Sequence, residues 1–150
     1  VDDILNYLPI SNTLGTAGQP TAEQFGAIRA AGYQAVINLA MADSTSALPN
    51  ERELVIEQGM EYVHSPVVWE RPTNQDLERF FDVMEQYQGT RIFVHCVMNM
   101  RVSVFVLLYR VLRLGQRPET AHQAVDRIWT PNESWQQFMD DALAAHGIGV

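Results

Sequence analysis

The sequence has little that could cross-link the chain or anchor it in a membrane. Cys96 is the single cysteine of 150 residues, so an internal disulfide is impossible. No apolar run reaches the roughly 18 residues of a membrane-spanning helix, because Arg110 interrupts the richest stretch, residues 102–112. Basic residues are few: 10 Lys+Arg against 18 Asp+Glu give a net charge of −8, which disfavours nucleic acid and anionic membranes as partners. Any phosphate group that binds here therefore needs a local site.

The composition is that of one folded domain. Hydrophobic residues make up 47% of the chain and charged residues 19%, which leaves enough apolar surface for a core. No repeat or low-complexity segment divides the sequence, so we predict a single domain over residues 1–150. The chain begins at Val1, as it would after removal of a tag, a leader or a signal peptide. The sequence is thus compatible with the cytoplasm or, if a signal peptide was removed, with the periplasm.

Strand patterns alternate with helix patterns along the chain. Short β-branched runs predict strands at 35–39, 62–66 and 91–95. Helical spacing, with caps such as Thr21 and Thr73, predicts helices near 21–31, 51–58, 74–88, 102–114, 118–129 and 132–146. This alternation implies right-handed crossovers. We predict an α/β fold with a central, mostly parallel sheet of about four to five strands flanked by helices.

The most informative segment joins the strand at 91–95 to the helix that follows. Cys96 comes directly after this strand, and ligands of α/β proteins bind at the carboxyl ends of strands. Amide groups at the start of the helix, together with its dipole, favour an anion and favour thiolate over thiol. Arg101 offers a planar fork of donors for two phosphate oxygens.

A simpler interpretation makes Cys96 a small core residue and Arg101 a surface cation. We favour the functional interpretation, because a cation in the first turn of a helix opposes the dipole unless it faces an anion.

This segment resembles the signature of the cysteine-dependent protein tyrosine phosphatase superfamily: His-Cys, two residues, Gly, two residues, Arg, then Ser or Thr. His95, Cys96 and Ser103 match it. Asn99 stands in place of the glycine, and asparagine tolerates the left-handed conformation expected there. Arg101 comes one residue early. The resulting spacing is similar to the loop of rhodanese sulfurtransferases, so a rhodanese-like enzyme remains an alternative.

Further segments extend the resemblance to the phosphatases. Residues 17–21, 32–39 and 66–72 resemble small bacterial dual-specificity-phosphatase-like proteins, including the group labelled β-lactamase hydrolase-like. The similarity covers most of 14–135, although only the segment around Cys96 is specific.

The resemblance implies a role for each residue of this segment. Cys96 would attack phosphorus and form a phosphocysteine, while Ser103 would ease departure of the thiolate during hydrolysis. His95 would hold the loop by hydrogen bonding. The mechanism requires neither metal nor cofactor. The phosphate oxygens would be bound by the residues between the cysteine and the helix, namely Val97, Met98, Asn99, Met100 and Arg101.

A phosphatase also needs an acid to protonate the leaving oxygen. In many members of the superfamily this acid lies between two prolines, as in residues 66–72 here. Trp69 occupies the position expected for aspartate, so we consider its neighbour Glu70, with Asp43 and Asp76 as further candidates. Trp69 itself could stack on an aromatic substrate, roof the pocket or lie in the core.

Other conspicuous residues have ordinary explanations. We expect Met98 and Met100 to pack beneath the loop, and Trp129 and Trp135 to pack between the last two helices. The remaining histidines share no metal-ligand spacing with each other or with the cysteine, so we predict no metal site. These histidines are His64, His122 and His146.

The sequence therefore predicts a metal-independent cysteine phosphatase that acts on a phosphorylated small molecule or phosphoprotein. The alternatives are a rhodanese-like sulfurtransferase and a non-catalytic phosphate-binding module. The substrate and the oligomeric state stay open at this point.

Overall fold

The computed structural model describes residues 1–148, which form five strands and six helices. The strands are β1 (Leu8–Ser11), β2 (Leu14–Ala17), β3 (Ala35–Asn38), β4 (Glu61–His64) and β5 (Ile92–His95). The helices are α1 (Gln24–Ala30), α2 (Glu51–Glu57), α3 (Asn74–Gln86), α4 (Met100–Leu112), α5 (Pro118–Ile128) and α6 (Glu133–Ala145). None of these helices combines the length and hydropathy of a membrane span.

The strands form one sheet in the order β1-β2-β5-β3-β4. β1 pairs antiparallel with β2, and the other neighbours are parallel. β5 lies in the centre, and all four of its residues are buried, as expected for a parallel strand covered on both faces. The predicted α/β class and mostly parallel sheet are confirmed.

Helices cover the two faces of the sheet with separate apolar clusters. Ile92 and Val94 of β5 pack with residues of α3 to α6, whereas Phe93 packs with residues of α1 and α2. Because side chains alternate along a strand, His95 points to the α1–α2 face, whereas Cys96, just beyond the strand, joins the α3–α6 cluster. The two neighbouring residues therefore belong to different layers of the molecule.

The predicted helices and strands agree with the structure to within a few residues. The predicted cap at Thr73 is confirmed, and the structure extends it to a capping box: the Thr73 hydroxyl accepts from the N–H of Asp76, and the Asp76 carboxylate accepts from the N–H of Thr73, both at 3.1 Å. At Thr21 the prediction was wrong in part. Its N–H donates to the side chain of Gln24 at 2.9 Å, but its own hydroxyl caps nothing and α1 begins only at Gln24.

β1 and β2 were not predicted as strands. They contain Pro9 and Gly15, which are residue types that are depleted in strands. Pro9 is tolerated because β1 lies at the edge of the sheet. Gly15 is required, since a Cβ atom there would lie 2.1 Å from the Tyr33 hydroxyl.

Candidate active site

The segment that runs from the end of β5 into the first turn of α4, residues 96–101, is called the cysteine loop below. Asn99 lies in it with φ 68°, the left-handed conformation expected for this position, and stands at the start of α4. Its side chain does not cap the helix. The Asn99 amide instead donates to the carbonyl of Asn6 at 2.9 Å and to the hydroxyl of Thr16 at 3.1 Å. Asparagine therefore supplies the turn of a glycine and also ties the loop to the N-terminal segment.

Residues far away in the sequence hold the backbone of the cysteine loop from outside. The side chain of Asn6 donates to the carbonyl of Met98 at 3.0 Å, and the N–H of Gln19 donates to the carbonyl of Val97 at 2.9 Å. A Cβ atom at Gly18 would lie 2.5 Å from the Val97 carbonyl oxygen, so the close approach needs glycine. These contacts restrain the backbone of the loop from the N-terminal part of the chain.

Cys96 lies at a pocket of about 330 Å³ whose wall includes several of the residues predicted to bind phosphate. The cysteine itself is only 1% exposed. The other residues around the pocket are Ser44, Thr45, Trp69, Val97, Met98, Met100 and Arg101. Met98 is 39% exposed, so the prediction that it packs beneath the loop was wrong.

Arg101 reaches the same pocket from the first turn of α4. The side chain is buried, and its Nη1 donates to the carbonyl of Val67 at 2.8 Å. Its guanidinium carbon lies 5.9 Å from the centre of the Trp69 ring. A guanidinium carries five N–H donors, so this anchoring contact uses a small part of its capacity.

Ser103 lies on α4 close to the cysteine loop and outside the lining of the pocket. Its hydroxyl donates to the carbonyl of Met100 at 2.6 Å and accepts from Nε1 of Trp129 at 2.9 Å. The hydroxyl is therefore held in one orientation by two partners.

A buried hydrogen-bonded network lies on the other side of Cys96. His95 is fully buried; its Nε2 lies 2.7 Å from a carboxylate oxygen of Glu51, and its Nδ1 lies 3.1 Å from the carbonyl of Cys96. The second carboxylate oxygen of Glu51 accepts from the side chain of Gln19 at 2.8 Å. Burial alone raises the pKa of the Glu51 carboxyl, but the hydrogen bond and charge of His95 and the bond from Gln19 outweigh it and hold that pKa below its ordinary value.

Sequence reasoning missed Glu51 and Gln19. Glu51 was treated only as the first residue of a helix, where acidic residues are common because they favour the helix dipole. No local signal shows that its side chain is buried.

Three tryptophans meet beside Arg101 and Ser103. The ring of Trp69 lies 5.5 Å from that of Trp129 and 5.7 Å from that of Trp135. Nε1 of Trp135 also donates to the backbone carbonyl of Trp69 at 2.9 Å. The prediction that Trp129 and Trp135 only pack between the last two helices was incomplete, because both also pack against the wall of the pocket.

The sequence as a whole matches a known family. The family model described as DSP-PTPase phosphatase fused to NAD⁺ kinase matches residues 8–143. The protein belongs to this phosphatase family. The resemblance to dual-specificity-type members of the protein tyrosine phosphatase superfamily is thereby confirmed. Among curated proteins, none has a sequence that matches this chain.

Solved structures agree with this family. A DUF442 protein of Shewanella putrefaciens CN-32 is 34% identical, with 99% of this chain and 94% of that chain covered and a TM-score of 0.89. PTPMT1, solved in complex with PI(5)P, is 19% identical, with 94% and 96% covered and a TM-score of 0.78. TpbA of P. aeruginosa, solved as a variant with pTyr, is 14% identical, with 97% and 92% covered and a TM-score of 0.73. At such low identity the last two establish the fold alone.

None of the three carboxyl groups considered as the acid of this phosphatase lines the pocket of the described structure. Glu70 is exposed, in a turn closed by a 3.1 Å hydrogen bond from the N–H of Arg71 to the carbonyl of Val68. Asp76 is occupied by the capping box of α3, and Asp43 is exposed on the loop after β3.

Within residues 1–148, no cluster of three or more His, Cys, Asp or Glu side chains could hold a metal ion.

Proposed function

We propose that this phosphatase hydrolyses phosphomonoesters through a covalent phosphocysteine on Cys96, without a metal. The observation that supports the proposal most directly is the shared pocket. The single cysteine and Arg101 both line this pocket at the amino end of α4, together with other residues of the cysteine loop. A phosphate seated there would meet loop amides, the positive end of the helix dipole and a guanidinium at once.

In the first proposed step the Cys96 thiolate attacks phosphorus. The Sγ–P bond forms while the P–O bond to the leaving group breaks, and the leaving oxygen takes the electron pair. Arg101 and the backbone amides of residues 97–101 stabilise the charge on the equatorial oxygens. Stabilisation of this kind is usually the largest single contribution to catalysis.

In the second proposed step water attacks the phosphocysteine, releasing inorganic phosphate and the thiolate. Ser103 would ease departure of the thiolate in this step, for which its O–H has to leave the carbonyl of Met100. Trp129 keeps the hydroxyl oxygen in place during this change, because its N–H donates to that oxygen at 2.9 Å.

His95 has a positioning role in this proposal. Its ring bridges the Glu51 carboxylate and the Cys96 carbonyl, so it fixes the backbone of the nucleophile from the α1–α2 face.

The test is hydrolysis of an aryl phosphate by the wild type and by Cys96→Ser. We expect phosphate release and vanadate inhibition in the wild type, a phosphate adduct on Cys96 in acid-quenched samples by mass spectrometry, and no turnover in Cys96→Ser. Ser46→Ala, an exposed loop residue outside the pocket, is the control. Turnover that survives in a folded Cys96→Ser protein would contradict the proposal.

The same samples distinguish the two alternatives. Thiocyanate formation from thiosulfate and cyanide would identify a rhodanese-like sulfurtransferase. Tight phosphate or vanadate binding with negligible turnover on every ester would identify a non-catalytic binding module.

A further inference from the structure

The pocket at Cys96 has an unusual chemical composition for a site that must expel an oxygen leaving group. Among the described residues that line it, the titratable side chains are Cys96 and Arg101. The first is the proposed nucleophile and the second a permanent cation that cannot give up a proton. The hydroxyls of Ser44 and Thr45 are too weakly acidic to serve as proton donors.

Trp69 is fixed in the wall of this pocket. Its ring packs against Trp129 and Trp135, and its carbonyl accepts from the indole N–H of Trp135. Two residues earlier, Val67 is held by its N–H to the carbonyl of Leu39 at 2.9 Å and by its carbonyl to Arg101. Moving the indole out of the wall would break these contacts together.

Two carboxyl groups adjoin the pocket wall along the chain, Asp43 beside Ser44 and Glu70 beside Trp69, and both are exposed and outside the lining. Glu70 lies within the turn from Val68 to Arg71, and its side chain is exposed. Its backbone is restrained on both sides, by the hydrogen bond from Arg71 to Val68 and by the ring contacts of the preceding Trp69.

Neither nearby histidine can replace a carboxylic acid in this pocket. The ring of His95 is fully buried between Glu51 and the Cys96 carbonyl. Nε2 of His64 lies 2.7 Å from the carbonyl of Ala40, and His64 lines a separate cavity.

We propose that this enzyme cleaves only phosphomonoesters whose leaving group departs as a stable anion, such as esters of acidic phenols, and that Trp69 is the residue that determines this specificity. The inference rests on the proposed function. The Cys96 sulfur forms its bond to phosphorus, the P–O bond breaks, and the leaving oxygen departs as phenolate and takes its proton from bulk water. Alkyl phosphates react poorly, because proton donation typically contributes about 10²–10⁴-fold and no group in the pocket supplies it.

The experiment measures kcat/KM for ring-substituted phenyl phosphates of graded phenol acidity, with phosphoserine as the alkyl ester. This parameter reports on the first, P–O cleaving step. For the wild type we expect a steep fall of kcat/KM as the phenol becomes less acidic. We expect kcat/KM for phosphoserine to lie about 10²–10⁴-fold below that of the best aryl ester.

Variants at two neighbouring positions sharpen the test. Trp69→Asp places a carboxylic acid in the pocket wall. The dependence of kcat/KM on phenol acidity, called the slope here, should therefore become shallower. We expect a higher kcat/KM for the ester of the least acidic phenol and little change for that of the most acidic one. A new loss of kcat/KM at high pH should accompany it, as the introduced acid loses its proton. Trp69→Phe, which adds no acid, should keep the steep slope, and Glu70→Gln should keep it too.

Each result decides between the possibilities. A shallow slope in the wild type overturns the inference, and a slope that steepens in Glu70→Gln identifies Glu70 as the missing acid. A folded Trp69→Asp protein with an unchanged slope shows that Trp69 does not determine specificity. If Trp69→Asp does not fold, the slopes of the wild type and Glu70→Gln still decide whether an acid acts. Absence of Cys96-dependent release from every ester would instead refute the proposed function itself.

Discussion

The two ends of the cysteine loop are supported by different kinds of contact. At the Cys96 end, a buried network of His95, Glu51 and Gln19 holds the backbone through hydrogen bonds. At the Arg101 end, aromatic rings and a single backbone carbonyl position the side chain. Removing one partner from a buried polar network lowers the unfolding free energy strongly, because the other partner stays buried without a hydrogen bond. The aromatic residues, by contrast, border the pocket in which the substrate would react. We therefore expect substitutions in the polar network to reduce stability, and substitutions on the aromatic side to reduce catalysis.

The largest expected effect is on the aromatic side, at Arg101. In Arg101→Lys, the ammonium cannot donate to the Val67 carbonyl and present a planar fork to two phosphate oxygens at once. We expect kcat/KM on an aryl phosphate to fall about 10²–10³-fold, as for loss of one preorganised donor, with a small change in unfolding free energy. Arg117→Lys, whose side chain is 83% exposed, is the matched control. A loss no larger than in this control would show that the fork does not bind the anion.

The polar side is tested by Glu51→Gln. Glutamine keeps the shape but loses the charge that accepts from His95 and Gln19, so we expect a loss of about 1.5–3 kcal/mol in unfolding free energy, the range for hydrogen bonds to charged groups. Urea denaturation measures it. Glu57→Gln, an exposed residue of the same helix, is the control. Equal stability of the two variants would mean that the network contributes little.

The stability difference between the wild type and Glu51→Gln should also depend on pH. The pKa of the native Glu51 carboxyl lies below its ordinary value of 4.5, so its stabilisation is complete above 4.5 and is lost as pH falls through the native pKa. The two unfolding free energies should therefore converge in acid. If the difference in unfolding free energy between the two proteins stays constant from neutral pH into acid, the Glu51 charge is not what stabilises the wild type.

The smallest effect is expected for Trp129→Phe. The substitution removes the N–H that donates to Ser103 while keeping an aromatic ring against Trp69. We expect a loss of about 0.5–1.5 kcal/mol in stability, the net value of one hydrogen bond, and a lower kcat with a larger initial burst, because the proposed role of Ser103 is in the second step. Tyr87→Phe, at the C-terminal end of α3 and outside the pocket at Cys96, controls for loss of a polar aromatic group. A kcat equal to that of the wild type would separate Trp129 from the chemistry.

Much of the fold could be predicted because its signals are local. The strand 92–95 shows in the apolar residues 92–94, and the cap at Thr73 depends only on the residues that follow it directly. The left-handed turn at Asn99 was expected from the resemblance, because Asn99 stands where the family signature has glycine. β1 and β2 escaped prediction because their proline and glycine are residue types depleted in strands and are tolerated here only by virtue of their place in the sheet.

The support of the site could not be predicted, because its members are distant in sequence. Glu51 and His95 are separated by 44 positions and Trp69 and Trp135 by 66. Each of these residues has an ordinary local explanation, as a helix start, a strand end or a core aromatic. Only their meeting makes them part of one site.

The order of residues by itself determined that a cysteine directly follows a strand and that an arginine stands at the start of the next helix, because both facts depend on local spacing and on backbone geometry common to all α/β proteins. The order of residues also put a tryptophan at the position where an acid was expected. The tertiary structure decided what surrounds these residues. It buried the Glu51 carboxylate behind His95 and packed the Trp69 indole against Trp129 and Trp135, because those neighbours are brought by chain crossovers that no local pattern records.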